Sequence, residues 1–224
     1  MLKLYCSIIA FLLWAVMLVG QTTTKPEVGK APLFADWRVE LDVANLLTNA
    51  LYKGERYAYE GSVQTLVRNK FFAVGELGYG GSEKLNLDNA KMTSSGMYGR
   101  LGIDFNLMKP KPDALPSRNY FLAGLRLGMS GYNYELSNVL LVDDYWEEAR
   151  LRSYPQKYTV STWFEVLASA RVEVFSNVYL GWTVRLRNMI GEAKPGAINA
   201  WYVPGYGRTG QSVWTVNYSV GYRF

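Results

Sequence analysis

The chain of 224 residues contains no histidine and a single cysteine. Without histidine it lacks the commonest general base and the commonest metal ligand. One cysteine, Cys6, cannot make an intrachain disulfide, so the fold needs no such staple. No apolar run beyond residue 20 approaches the ~20 residues of a membrane-spanning helix. Basic residues form no block or stripe, and the net charge of +5 is spread along the chain, which argues against nucleic acid as a partner.

Amphipathic aromatics are abundant instead, with 17 tyrosines and 7 tryptophans. Such side chains suit water–lipid boundaries. Hydrophobic residues make up 49% of the chain, yet the mean hydropathy is only -0.07, so apolar and polar residues are interleaved. Residues 1–20, MLKLYCSIIAFLLWAVMLVG, read as a signal peptide: Lys3 is the positive start, Ser7 to Val19 the apolar stretch, and Gly20 a small residue for cleavage. An uncleaved anchor fits less well, because the run is short and no basic cluster follows it. Cys6 would leave with the peptide. Residues 21–32 read as a short N-terminal tail, and 33–224 as one β-barrel.

From Trp37 onward the hydrophobic period is two, the signature of half-buried strands. WRVELDVAN sets Trp37, Val39, Leu41 and Val43 against Arg38, Glu40 and Asp42. Seven further strands follow: about Arg56 to Val67, FFAVGELGYG, MYGRLGIDFNL, NYFLAGLRLGMSGY, roughly Tyr158 to Val174, VYLGWTVRLRNM and VWTVNYSVGYRF. An even number of amphipathic strands predicts an all-β, eight-stranded antiparallel up-and-down transmembrane barrel, which leaves no edge unpaired in lipid. Short connections (68–70 and 175–177) alternate with long ones (about 46–55, 80–95, 134–158 and 189–211), and 108–118 is of middling length. Parity sharpens the short turns. Inward residues are even-numbered in strands two and three, and odd-numbered in strands six and seven, so each turn needs an odd length. Three residues fit, and each three-residue loop holds an Asn that tolerates the left-handed position.

The polar faces carry seven acids, Glu40, Asp42, Glu60, Glu76, Asp104, Glu165 and Glu173, against seven arginines, Arg38, Arg100, Arg126, Arg171, Arg185, Arg187 and Arg223. Lysines beyond residue 20 fall in the tail, loops or turns. Arginine holds carboxylates through a rigid two-pronged fork. Eight strands leave an interior just wide enough for side chains to fill. A neutral, arginine-only set therefore predicts a lumen plugged by ion pairs rather than a charged pore, and the three-residue turn places Glu165 opposite Arg187 in contact.

Candidate chemistry is sparse. Outer-membrane barrel enzymes that acylate or deacylate lipid A, and barrel proteases, use a histidine; no serine here has a catalytic setting, so the expectation is a non-enzyme with no cofactor. LNLDNAK (Leu85 to Lys91) has too few carboxylates for calcium. Asp143, Asp144, Glu147 and Glu148, followed by Arg150 and Arg152, read as a solvated loop with one helical turn, or as a divalent-cation or partner contact. NAWYVPGYGRTG (Asn199 to Gly210) reads as a stiff outer loop in which Trp201, Tyr202 and Tyr206 cap the barrel mouth or sit in the headgroup belt; with Arg208 they are the candidate contact for a sugar or a partner.

Four stretches, FFAVGELGYG (Phe71 to Gly80), YGRLGIDFNLMK (Tyr98 to Lys109), NAWYVPGYG (Asn199 to Gly207) and FSNVYLGWTVRLR (Phe175 to Arg187), resemble an uncharacterised outer-membrane β-barrel family of Bacteroidetes over residues 33–224. The terminal Phe224 after alternating aromatics resembles the signal read by barrel assembly machinery. The resemblance implies fold and location and carries no catalytic residues. The expected protein is a non-enzymatic barrel in the outer membrane of a Gram-negative cell, with long loops extracellular and termini periplasmic. Its expected partners are outer-membrane lipid, the assembly machinery during biogenesis, and a protein or glycan at the outer loops. Alternatives are a small-solute pore, or a soluble periplasmic lipocalin-like barrel with an apolar interior.

Overall fold

A computed structural model describes residues 33–45, 56–68, 70–87, 90–108, 119–142, 149–190 and 200–224. Residues 1–32, read above as a signal peptide and a tail, Asn69 and the carboxylates at 143, 144, 147 and 148 lie outside these residues. Eight long strands are present: β1 (Phe34–Asp42), β2 (Arg56–Val67), β3 (Phe71–Leu87), β4 (Ala90–Asn106), β5 (Asn119–Val142), β6 (Ala149–Phe175), β7 (Val178–Met189) and β10 (Val213–Arg223). They close into one antiparallel barrel in the order β1-β10-β7-β6-β5-β4-β3-β2. Two further short strands, β8 (Tyr202–Val203) and β9 (Gly207–Arg208), form a separate hairpin.

Alternation sends charge inward and apolar groups outward. Arg38, Glu40, Glu76, Arg100, Asp104, Arg126 and Glu165 are all buried, whereas Leu77, Met97, Leu101, Leu127 and Trp214 are each more than 60% exposed. Exposed Trp37, Leu41, Val63, Phe105, Phe121, Leu125, Val160, Val166, Trp182, Val184 and Val216 continue this apolar exterior around the barrel. The charged interior is the opposite of the apolar one that a lipocalin-like barrel needs.

Turns and loops depart from expectation in instructive ways. Between β2 and β3 the turn has three residues, with Val67 opposite Phe71 and the Lys70 N–H bonded to the Val67 carbonyl at 2.9 Å. Arg68 takes the left-handed conformation there (φ 46°), a position assigned from sequence to Asn. Between β6 and β7 the turn tightens to Ser176 and Asn177, with Asn177 at φ 66°. The register shifts between Glu173 and Phe175, a bulge that absorbs the spare residue. Parity along the strands is therefore the one a three-residue loop requires, and Glu165 pairs with Arg187.

Two of the expected long loops are mostly strand. β3 and β4 continue to Leu87 and Ala90, and β5 and β6 to Val142 and Ala149. Polar residues in these stretches suggest loops because they break the apolar–polar alternation, but the ladder continues above the apolar belt, where either face can be polar. Of the lysines there, Lys84, Lys91 and Lys157 lie on strands rather than in loops, and Lys91 and Lys157 are exposed. The 27-residue β6 spans roughly 85 Å at ~3.3 Å per residue, while β1 has only 9 residues. One side of the barrel, β3 to β6, thus rises as a tall wall above a low side formed by β1, β2, β7 and β10.

Candidate functional site

The interior is layered. In its middle, four arginines meet four carboxylates: Arg100, Arg126, Arg185 and Arg187 against Glu60, Glu76, Asp104 and Glu165. Glu165 is fully buried and reaches Arg100 at 2.8 Å, Arg185 at 3.2 Å and Arg187 at 3.2 Å, while the Trp163 indole N–H donates to it at 2.6 Å. Glu76 bridges Arg100 (2.9 Å), Arg126 (3.2 Å) and Arg185 (2.7 Å). Arg126 grips Asp104 with both terminal nitrogens, at 2.7 and 2.8 Å. Removing charges from water is costly, and only this multiplicity of charge-assisted bonds offsets the cost.

Towards the turn end, Arg171 holds Glu40 at 2.7 Å, and Ser219 donates to the same carboxylate at 2.9 Å. Between this layer and the central one, the described residues leave a gap of about 20 Å³, room for about one water. Lowest in the barrel, the Arg38 guanidinium faces the rings of Tyr120 (4.1 Å), Phe72 (4.7 Å) and Tyr179 (5.2 Å) and pairs with Asp36. Arg223 approaches Asp36 from the chain end at 3.7 Å.

Twelve of the fourteen expected lumen residues thus take part in this stack. The other two serve chain reversals. Asp42 accepts the N–H groups of Ala44 and Asn45, where the backbone turns helically over 43–45, and also binds Asn217. Glu173 is half-buried and accepts the Asn177 N–H of the turn at 2.9 Å. Asp42 is nevertheless buried and lines the gap between the ion layers together with Glu40 and Arg171, so it faces the lumen.

The β8–β9 hairpin fills the loop end. Val203-Pro204-Gly205-Tyr206 is a type II turn: Tyr206 N–H bonds the Val203 carbonyl at 3.1 Å, and Gly205 has φ +80°. Its tip points into the ion network. Arg100 donates to the Gly205 carbonyl at 2.8 Å and Arg187 to the Tyr206 carbonyl at 3.1 Å. Tyr98 is held between two glycines, since a Cβ at either Gly78 or Gly205 would fall within 2.5 Å of its ring. Its hydroxyl donates to Glu60 at 3.0 Å. Tyr206 packs edge-on to Trp163 (5.8 Å), within a cluster that includes Met92, Tyr132, Leu136, Tyr202 and Val203 on the inner face of the tall wall.

Of the roles read for this loop, a cap on the barrel mouth fits Tyr202 and Tyr206, and a headgroup belt or an outer contact does not. Tyr202 and Tyr206 are buried and belong to a core, half-buried Trp201 packs against it, and of the four candidate contacts only Arg208 is exposed. Burial pushes the Tyr202 and Tyr206 phenols up. Three other participants went unnamed in the sequence reading. Tyr98 and Trp163 share the parity of Arg100 and Glu165 respectively, so the signal was present. Asp36 has the parity of Arg38 but lies next to a bulge between Ala35 and Arg38 that blurs the pattern.

The family model described as Domain of unknown function (DUF6048) matches residues 1–224. The chain belongs to the DUF6048 family. No curated protein matches it. The DUF6048 barrel therefore comes with no inherited chemistry, and its function has to be argued from the layered lumen and the docked hairpin. Among the described residues, no group of three or more His, Cys, Asp or Glu side chains is placed to hold a metal ion.

Proposed function

We propose that this DUF6048 protein is a non-enzymatic barrel of the outer membrane of a Gram-negative cell, of the Bacteroidetes type that the sequence resembles. The lumen is sealed, and the protein works through its extracellular face. One observation carries the membrane reading: an apolar exterior encircles an interior of buried ion pairs, an inversion that makes sense where lipid is the outer solvent. Strands of 9 to 12 residues on the low side suit a tilted crossing of the bilayer. The turn end then faces the periplasm, and the tall wall with the docked hairpin faces outward. Terminal Phe224 lies exposed on the outward face of β10, as a signal for assembly machinery requires. Sealing is supported by the small gap between the ion layers and by the hairpin latched on Arg100 and Arg187.

Fractionation tests the address. The protein should enter the outer-membrane fraction and migrate faster on an unboiled gel; recovery in the periplasm without detergent would refute it. Planar-bilayer recording tests the seal: the wild type should give no steady single-channel current, and robust conductance would favour the small-solute pore.

A further inference from the structure

Near the loop end, the described residues leave part of β2 and β10 unpaired in the wall. β1 leaves the wall at Asp42, opposite Ser219 of β10, and its last pair with β2 joins Leu41 to Gly61. β10 continues from Ser219 up to Val213, and β2 from Gly61 up to Arg56. Above the last β1 rung, no pairing among the described residues joins these two strands. From Tyr218 to Val213 the unpaired stretch runs roughly 17 Å at ~3.3 Å per residue. Its level is that of the outward apolar row Trp214, Val216 and Tyr218, so it faces the side of the barrel rather than its top.

Behind it lies a cleft of about 830 Å³ between β2, β10 and the β8–β9 hairpin. Trp214 and Val216 from the outer face line it together with the inward groups, so it communicates with the apolar exterior. Its charge is one-sided, unlike that of the neutral lumen. The described lining holds four arginines, Arg56, Arg100, Arg187 and Arg208, and one carboxylate, Glu60. Arg100 and Arg187 are neutralised by Glu60, Glu76 and Glu165. Arg56 and Arg208 are exposed and have no carboxylate within ion-pair distance among the described residues; Arg56 lies over the Tyr202 ring at 5.7 Å.

A cleft that, among the described residues, holds two guanidinium forks without a carboxylate partner and is lined by the outward-facing Trp214 and Val216 matches an amphiphile: an anionic oxygen-rich head with an apolar tail. We propose that it seats the phosphate-bearing headgroup of a membrane lipid, held by Arg56 and Arg208, with the acyl chains leaving along β10. This site rests on the membrane reading above and gives the extracellular half of the barrel a ligand class.

Native mass spectrometry of the full barrel released from detergent micelles provides the test, with dimyristoylphosphatidylglycerol and dimyristoylphosphatidylcholine as probes. The expected result is one phosphatidylglycerol retained per barrel, at least ~10-fold preferred over the zwitterionic lipid. Arg56→Gln/Arg208→Gln should lose that preference, and Arg56→Lys/Arg208→Lys should keep part of it, since a charge without a fork remains. Both arginines are exposed, and unboiled-gel migration confirms that each variant is folded. Equal retention of the two lipids, or an unchanged preference in the Gln variant, would overturn the proposal. So would glycerol phosphate binding as tightly as the whole lipid, because the apolar lining would then have no role. A barrel that fractionates with the outer membrane yet shows no preference refutes this site alone; a barrel recovered soluble refutes the membrane reading beneath it.

Discussion

Glu165 is the residue whose loss the structure makes most costly. Its carboxylate is fully buried and touches three arginines and the Trp163 indole. Glu165→Gln preserves shape and removes one negative charge, leaving the central knot with four arginines and three carboxylates. Breaking a buried pair by removing one partner costs about 3–5 kcal/mol, because the other charge stays buried and uncompensated. Arg187 has Glu165 as its ion-pair partner and otherwise donates to the Tyr206 carbonyl. Arg187→Met added to Glu165→Gln restores neutrality and loses one hydrogen bond to the hairpin, worth about 1.5–3 kcal/mol for a charged donor. The double variant should therefore be more stable than Glu165→Gln alone, although a second native residue has been removed. Urea titration of barrels refolded into lipid vesicles, with the folded fraction read from the fast-migrating unboiled band, measures both. Additive losses, or a Glu165→Gln barrel within about 0.5 kcal/mol of wild type, would refute the argument that this knot is held together by charge balance.

Three further outcomes are expected. Gly205→Val places a side chain at φ +80° and against the Tyr98 ring; the hairpin should undock, with a loss of near-ultraviolet circular dichroism from the Trp163–Tyr206 pair while the barrel still migrates as folded. Tyr206→Ala should cost about 3–5 kcal/mol as a large-to-small change in a packed cluster, and Tyr206→Phe about 1 kcal/mol through the lost bond from its hydroxyl to the Gln211 carbonyl (2.8 Å); the same urea titration separates them. Tyr202 and Tyr206 have phenols raised by burial, so the folded barrel holds these protons more tightly than the unfolded chain. Stability from the docked hairpin should be present below the unfolded phenol pKa of about 10 and fall as pH rises beyond it, seen as late-ionising phenolate absorbance that shifts to lower pH in the Gly205→Val variant.

Much of this protein is legible in one dimension. A strand has a side-chain period of two, so sequence alternation alone decides which residues face inward. Parity with a three-residue turn between β6 and β7 sets Arg187 opposite Glu165, and the bulge between Glu173 and Phe175 leaves that rung intact. The list of interior charges follows from the same rule; Asp42 and Glu173, near strand ends, also accept backbone donors of the adjoining turns.

What alternation cannot carry is height and docking. The strand extensions beyond Gly80 and Tyr134 look like loops because, above the apolar belt, solvent no longer dictates which face is polar. The stretch around Pro204 contains its own turn, so its stiffness can be read locally. That its tip descends onto Arg100 and Arg187 depends on residues more than a hundred positions apart meeting inside a closed barrel. The unpaired stretch of β2 and β10 among the described residues likewise appears only once the barrel closes, because it comes from the difference in length between strands that are neighbours in space. Sequence determined the strands, their facing and the neutrality of the interior, since each depends on a residue and its nearest neighbours. The plug, the low side of the wall and the basic cleft were decided by closure, which alone brings the first strand and the last together.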